Sequence, residues 1–235
     1  MKNRPALFFA FLFFSGILFA GIFNRPSVQT FQPSPEIPFE ALYQRLELAQ
    51  IGLKASVFRL AINGYQKLNK SGRLLKRSVV SICDLSQSAN NLRLYVIDLD
   101  RGVLLYHTLV AHGKQSGEEF ARHFGNHQNS HLSSLGFYIT GATYKGQHGT
   151  SLRLEGQEKG FNDQALRRGI VVHGADYVSE EFIRCNGRLG RSQGCPAVPS
   201  GLCDTLVSRI QGGSCFFMYY PDPVYLKQSL LICPD

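Results

Sequence analysis

Several features that would assign a function directly are missing from this 235-residue sequence. It has no dense run of Lys and Arg and no recognisable nucleic-acid-binding motif, so we predict no nucleic-acid partner. It has no close Cys-x-x-Cys pair, which argues against a zinc site. The net charge of +8 favours polyanionic surroundings, but charge alone does not choose among nucleic acid, anionic lipid and an acidic wall polymer. With 44% hydrophobic residues, the chain can bury a sizeable core.

Charge is also absent from a long N-terminal stretch. Met1–Arg4 is positively charged, and Pro5–Phe23 carries no charge, a pattern typical of a signal peptide or an uncleaved signal anchor over residues 1–23. No Cys follows it, which argues against a bacterial lipid anchor. Residues 24–38 contain four prolines and are expected to form an extended linker. The sequence therefore predicts an exported protein of the periplasm or cell envelope, anchored in the inner membrane if the first segment stays uncleaved.

Residues 39–235 are predicted to form one domain that is mainly β with flanking helices. Apolar residues at helical spacing over 39–51 and 55–69 predict a helical hairpin within residues 39–70. The period then changes to two, which predicts a β-rich core over residues 77–220 that begins as an antiparallel meander. The predicted elements of this core are strands at Val79–Cys83, Leu92–Asp98, Val103–Val110, Phe137–Thr140, Ser151–Leu154, Gly169–Val172 and Ser214–Tyr220, and a helix at Leu202–Ile210.

The stretch from Ile170 to Pro199 contains the residues best suited to covalent chemistry. A β-branched run ends at His173, and a Gly-Cys turn later presents Cys195. A thiolate is a strong nucleophile, and a neighbouring imidazole both deprotonates and stabilises it. We therefore predict that Cys195 is a nucleophile and His173 its base. The group that orients His173 is either Asp176 or a backbone carbonyl.

The alternative for Cys195 is a buried residue or half of a disulfide, because an exported chain with six cysteines invites pairing. Three observations favour the nucleophile. Cys195 lies between Gly194 and Pro196 in a turn, a helix follows this turn, and Arg188 and Arg191 lie just upstream, where positive charge lowers a thiol pKa. If Cys195 stays unpaired, at least one other cysteine is unpaired within the chain, and the pairing of the rest is open.

Three histidines also suggest a metal site at first sight. His123, His127 and His131 repeat every four residues, which on a helix would gather three imidazoles on one face. Gly125 and its polar neighbours make a poor helix there. We therefore predict no metal and no cofactor, and we expect residues 112–136 to form a surface loop that contributes substrate contacts.

The His-Gly pair at His173 followed by Ser192-Gln193-Gly194-Cys195 resembles the signature of the L,D-transpeptidases, the YkuD-type murein enzymes. Three segments, in the same order, are similar to the murein L,D-transpeptidase catalytic-domain branch: Val110–Gly113, Ser133–Tyr138 and Ile170–Pro199. The resemblance covers roughly residues 40–225 and implies a β-sandwich or barrel catalytic domain. It also implies a Cys195 thioester formed with a peptidoglycan stem peptide. An amine acceptor would give a crosslink between third-position residues, and water would make the protein an L,D-carboxypeptidase.

The same resemblance implies roles for neighbouring residues. Gly194, Ser192 and Gly174 are expected to shape the turn that binds the oxyanion. The predicted substrate contacts are Arg191, Arg188, Gln193, His148 and Tyr138. Gln193 stands where the family usually has His or Tyr, and no Arg or Asn follows Cys195, so Arg191 or Arg188 is expected to supply the positive charge. The chain is expected to be a monomer whose partner is the stem peptide.

Three other classes of protein compete with this interpretation. A sortase-like transpeptidase would need Thr-Leu-x-Thr-Cys, which Ser-Gln-Gly-Cys-Pro does not match. Papain-like wall peptidases place the Cys before the His in the chain. The remaining alternative is a catalytically silent domain that keeps the fold and binds peptidoglycan or another part of the cell envelope.

Overall fold

A computed structural model describes residues 38–147 and 149–233 of the chain. Its strands are β1 (Val79–Asp84), β2 (Leu94–Asp98), β3 (Val103–Thr108), β4 (Gly136–Gly146), β5 (Gly149–Gly156), β6 (Val171–Ala175), β7 (Ala197–Pro199) and β8 (Cys215–Tyr219). Its helices are α1 (Phe39–Arg45), α2 (Ala55–Lys70), α3 (Ala165–Arg168), α4 (Glu180–Asn186), α5 (Ser200–Ile210) and α6 (Pro223–Gln228). The predicted signal segment, and all but the last residue of the predicted linker, lie outside the described residues.

The predicted antiparallel meander is confirmed in strands β1, β2 and β3. Val79 in β1 lies opposite Asp98 in β2, and β2 pairs in turn with β3. The other edge of β1 pairs in parallel with β8, where Val80 lies opposite Cys215. All residues of β1 and β8 are buried, as expected for central strands that are covered on both faces.

The eight strands form one sheet in the order β3-β2-β1-β8-β4-β5-β6-β7. Strand β3 ends at Thr108 rather than at Val110, because the Val110 carbonyl accepts hydrogen bonds from the Arg93 side chain. The next residue, Ala111, bridges to Ala197 in β7, with its N–H donating to the Ala197 carbonyl over 2.8 Å. The predicted fold class is therefore confirmed as a nearly closed barrel with flanking helices.

Helix α1 is shorter than its apolar pattern predicts. It ends at Arg45 instead of residue 51, because Glu47 adopts a positive φ of 50° and the Leu48 N–H donates to the Tyr43 carbonyl in a turn. Leu48 is nevertheless fully buried, so the apolar residues after Arg45 enter the core through irregular turns.

Helix α2 covers the sheet through one apolar face. The buried side chains on this face are Val57, Phe58, Ala61, Ile62, Tyr65 and Leu68. Each large apolar side chain that is fully buried contributes roughly 1.5–3 kcal/mol relative to an exposed one. Gly64 allows the close approach, since a methyl group there would lie 2.1 Å from the Phe137 ring of β4.

Four short elements are missing from the sequence-based prediction, namely β7, α3, α4 and α6. None is longer than seven residues, which is too short for a period to show in the sequence. In the described part of the chain, no helix combines the length and hydropathy required to cross a membrane.

Candidate active site

Two neighbouring strands bring Cys195 and His173 to one pocket. Strands β6 and β7 run parallel, with His173 opposite Ala197, which lies just after Cys195 in the chain. Both side chains line a pocket of about 560 Å³. The side chain of Cys195 is partly exposed, and His173 is buried at 6% exposure. Other residues that line this pocket are Lys114, Tyr144, Gln147, Ser151, Tyr177, Arg191 and Gln193.

A backbone carbonyl, rather than a carboxylate, orients the His173 ring. Its Nδ1 lies 2.9 Å from the carbonyl oxygen of Gly174. The Nδ1–H donates to this carbonyl, which leaves Nε2 as the basic nitrogen of the neutral ring. Asp176, the other candidate for this role, instead accepts a hydrogen bond of 2.5 Å from the Ser200 hydroxyl.

Burial makes the Cys195 thiol harder to ionise than an exposed cysteine. Its Sγ donates to the Gly169 carbonyl over 3.7 Å. Burial raises the pKa of the Cys195 thiol, while the Val171 N–H and the Arg168 guanidinium act in the opposite direction. A thiol with a raised pKa needs a nearby base to become a nucleophile, and His173 lines the same pocket.

The turn that presents Cys195 is fixed by the Ser192 hydroxyl. Ser192 Oγ donates to the Cys195 carbonyl over 2.6 Å and accepts from the Gly194 N–H at 3.0 Å. The Gly194 N–H is therefore already engaged. Among the described residues, no acceptor forms a hydrogen bond with the Cys195 N–H. The Cys195 N–H is thus available to donate to an oxyanion.

At two of the predicted glycines, neighbouring atoms lie so close that a side chain would crowd them. Gly194 has a φ of +121°, and a methyl group on it would lie 2.8 Å from the Leu132 carbonyl. A methyl group on Gly174 would lie 3.1 Å from the Ser200 backbone, so this glycine lets α5 pack against β6. Gly174 contributes to the site through packing and through the carbonyl that orients His173.

The two arginines upstream of Cys195 share one carboxylate. Arg191 Nη1 lies 2.7 Å from Glu118 Oε1, and Arg188 Nε lies 2.8 Å from Glu118 Oε2. Arg191 also donates to the Lys114 and Gly117 carbonyls. Arg191 lines the pocket, whereas Arg188 lies outside its lining. Glu118 therefore offsets one of these two positive charges.

The three remaining predicted substrate contacts have three different outcomes. Gln193 lines the pocket. Tyr138 is fully buried, its hydroxyl donates to the Ser134 carbonyl over 3.0 Å, and it does not reach the pocket. His148 lies outside the described residues.

Sequence reasoning missed Arg168, at the end of α3. Its guanidinium donates to the Leu132 carbonyl at 2.7 Å, to the Gly125 carbonyl at 3.0 Å and to Ser130 Oγ at 3.2 Å, and it also contacts Ser134 Oγ. All four partners belong to one loop. The only signal in the sequence is a basic pair directly before a core strand, and this pair does not reveal which arginine points inward.

The loop at residues 112–136 contacts the Cys195 turn directly. The Lys114 N–H donates to the Ser192 carbonyl over 2.8 Å, and Ser133 Oγ donates to the Gly194 carbonyl over 3.3 Å. Among residues 38–147 and 149–233, no group of His, Cys, Asp or Glu is arranged to hold a metal ion. All six cysteines are free thiols.

The sequence matches a family model described as the L,D-transpeptidase catalytic domain (YkuD_2) over residues 49–219, most of the chain. This chain belongs to the L,D-transpeptidase catalytic domain family. The family resemblance found in the sequence motifs is therefore confirmed. Among curated proteins, no sequence matches the chain.

Solved structures, several of them L,D-transpeptidases, are similar to the chain at low identity. One from Mycobacterium smegmatis is 13% identical with a TM-score of 0.38, over 61% of this chain and 59% of that chain. One from Stackebrandtia nassauensis is 14% identical with a TM-score of 0.36, over 77% and 76%. The helical cell shape determining protein Pgp2 from Campylobacter jejuni is 13% identical with a TM-score of 0.40, over 60% and 47%. The match therefore spans less than two thirds of the Mycobacterium smegmatis protein, and membership of the family rests on the sequence model.

Proposed function

We propose that the protein is a cysteine acyltransferase that acts on peptidoglycan stem peptides, with Cys195 as the nucleophile and His173 as the base. The observation that carries this proposal is the common pocket of these two side chains, on a chain that belongs to the L,D-transpeptidase family. In the preferred form it is a transpeptidase that links third-position residues of two stems. With water as the acceptor, it would be an L,D-carboxypeptidase.

The first half-reaction forms a thioester. His173 Nε2 removes the Sγ proton, and the thiolate attacks the carbonyl carbon of the amide bond between the third and fourth residues of a stem tetrapeptide. The Cys195 N–H donates to the oxyanion that develops. The C–N bond then breaks, the leaving nitrogen takes the proton from His173, and the terminal D-alanine departs with its amine restored.

The second half-reaction resolves the thioester. An amine of a neighbouring stem attacks the carbonyl carbon, while Nε2 of His173 accepts a proton from that amine. The C–S bond breaks, the proton returns to Sγ, and an amide bond joins the two stems. Water in place of the amine gives a free tripeptide and the same regenerated thiol.

The pocket composition supports a substrate that carries carboxylates. Lys114 and Arg191 line it, and no acidic side chain does so among the described residues. Arg191 is paired with Glu118, so Lys114 contributes the less compensated positive charge. Stem peptides end in a carboxylate, and positive side chains raise the local concentration of such substrates.

The organisation of the chain supports action outside the cytoplasm. We propose that residues 1–23 are a signal peptide or anchor, that residues 24–38 are a linker, and that residues 39–235 are the catalytic domain. The observation behind this proposal is the basic head followed by an uncharged apolar run at Met1–Phe23. The proposed location is the periplasm or cell envelope.

Mass spectrometry of protein and products tests the proposed reaction. The purified protein is incubated with disaccharide-tetrapeptide muropeptides beside Cys195→Ala, with Cys185→Ala as the control at an exposed cysteine. We expect an acyl adduct and loss of D-alanine in the unmutated protein and in Cys185→Ala, and none in Cys195→Ala. A crosslinked dimer identifies a transpeptidase, and a free tripeptide identifies a carboxypeptidase. If neither product nor adduct forms, a silent binding domain replaces this proposal.

A further inference from the structure

We propose that Arg168 is a positioning residue of this site: it holds the loop of residues 125–134 beneath the Gly194 turn, and it supplies the positive charge that stabilises the Cys195 thiolate. Directly after Cys195 the chain has Pro196, which carries no charge. This inference rests on the proposed role of Cys195 as the nucleophile.

The first support is the geometry of the loop contacts. Arg168 Nη2 donates to the Leu132 carbonyl at 2.7 Å, and Nη1 donates to the Gly125 carbonyl at 3.0 Å. The same Leu132 carbonyl lies 2.8 Å from the position of a methyl group on Gly194. Arg168 therefore fixes the surface against which the Cys195 turn packs. A planar guanidinium with five donors suits this task, because one side chain satisfies several acceptors at once.

The second support is proximity to the nucleophile. A methyl group on Gly194 would lie 3.2 Å from Arg168 Nη2, and Gly194 directly precedes Cys195. The side chain of Arg168 is partly buried, so solvent screens its charge less than that of an exposed arginine. Its charge also favours the ionised form of the Cys195 thiol.

The third support is that no carboxylate of the described residues neutralises this charge. The contacts of Arg168 among the described residues are with carbonyls and hydroxyls. By contrast, Arg188 and Arg191 both pair with Glu118. Arg168 thus supplies the positive charge that the sequence pattern assigned to Arg188 or Arg191.

Other ionisable groups also face Cys195, and the test has to separate their effects. Those that line its pocket are His173, Tyr177, Tyr144, Lys114 and Arg191. None of these residues is substituted in the Arg168 variants. Arg167, the adjacent residue, is exposed and carries the same charge, so Arg167→Gln is the matched control for net charge.

The experiment measures alkylation of Cys195 by iodoacetamide from pH 5 to 10 in the full chain, with peptide mapping by mass spectrometry. The exposed Cys185 serves as an internal reference for the reagent. We expect Arg168→Gln to shift the midpoint of the Cys195 profile upward and to slow alkylation at pH 7 about three- to tenfold. Arg168→Lys, which keeps the charge, should retain the midpoint, and Arg167→Gln should match the unmutated protein.

A second readout tests the positioning role separately. Lysine cannot span the acceptors that arginine bridges, so Arg168→Lys should be cleaved faster by protease within residues 125–134 while its alkylation midpoint is retained. Unchanged cleavage in a folded Arg168→Lys overturns the positioning role, and an unchanged midpoint in a folded Arg168→Gln overturns the electrostatic one. If Arg168→Gln does not fold, Arg168→Lys alone tests the electrostatic role. An upward shift of its alkylation midpoint would then overturn that role. Alkylation needs no peptidoglycan, so a wrong substrate assignment leaves both readouts interpretable.

Discussion

Two clusters of buried polar side chains lie in this domain, and they differ in how completely the protein satisfies them. The Glu158 carboxylate accepts from the Phe137 N–H at 2.7 Å, from the Tyr225 hydroxyl at 3.0 Å and from the Ser229 hydroxyl. At the candidate active site, Cys195 Sγ makes one weak contact of 3.7 Å, to a carbonyl, and faces a pocket. The first cluster has protein partners for its polar atoms, and the second leaves its reactive atom accessible.

This difference shows that a perturbed pKa does not by itself identify an active site. Burial raises the pKa of Glu158, and burial together with Arg93 lowers the pKa of His112 to about 4. Both residues are enclosed by protein partners and line no part of the pocket. Perturbed groups indicate function when they also face a space that can hold a substrate.

The largest expected effect comes from His173→Gln. Glutamine keeps similar polarity and length but cannot accept the thiol proton, so turnover should fall about 10²–10⁴-fold. The measurement is the initial rate of D-alanine release from a muropeptide. His112→Gln is the matched control, because His112 is also buried but bonds to Arg93 and the Gly117 carbonyl. Equal losses in the two variants would show that the loss does not depend on the position of His173 in the pocket.

The sequence predicts the parts of this site that depend on local pattern. His173 follows a run of β-branched residues, and Cys195 follows a glycine in a turn, so both are predicted from neighbouring residues. The sequence leaves two candidates for the group that orients His173, namely Asp176 and a backbone carbonyl. Every residue has a backbone carbonyl, so the sequence alone does not indicate which one makes this contact. The strands were located by their period of two, whereas closure of the barrel at Ala111 depends on contacts between distant segments.

Contacts between distant segments also explain why the structure differs from the sequence-based predictions for the arginines and for Tyr138. Arg188 and Arg191 lie near Cys195 in the chain, but Glu118 binds both, and the arginine beside the Cys turn is Arg168. Tyr138 belongs to a recognised motif, yet its strand position directs it into the core. Sequence proximity therefore identified two side chains that share one pocket, and it did not identify positions that depend on which face of the sheet a residue occupies.

A smaller effect on activity is expected for Gly194→Ala. The added methyl group would meet the Leu132 carbonyl at 2.8 Å at a φ of +121°, so the turn must shift and move Cys195. Strain of this kind costs about 1–3 kcal/mol, and we expect turnover to fall at least about tenfold. Gly201→Ala is the control, because space around Gly201 is open. Rates and thermal unfolding of both variants give the comparison, and full activity in Gly194→Ala would contradict this account of the turn.

The smallest effect on activity is expected in the enclosed cluster. Glu158→Gln turns an amide NH₂ toward groups that are themselves donors, so the free energy of unfolding should fall by about 1–3 kcal/mol. Turnover per folded molecule should stay unchanged, because Glu158 does not line the pocket. Glu155→Gln is the matched control on the exposed surface, where a change within about 0.5 kcal/mol is expected. A large loss of turnover in folded Glu158→Gln would mean that the two clusters are coupled.

The pH dependence of unfolding sharpens this last comparison. Because burial raises the folded-state pKa of Glu158, the folded protein holds this proton more tightly than the unfolded chain does. The stability that Glu158 contributes by binding this proton is complete below the unfolded pKa of about 4.3. It is lost as pH rises through the folded-state pKa. The stability advantage of the unmutated protein over Glu158→Gln should therefore shrink as pH rises from about 4 toward neutrality. Denaturant titrations at several pH values measure this difference, and an advantage that grows with pH would show that hydrogen bonds to the carboxylate outweigh its burial.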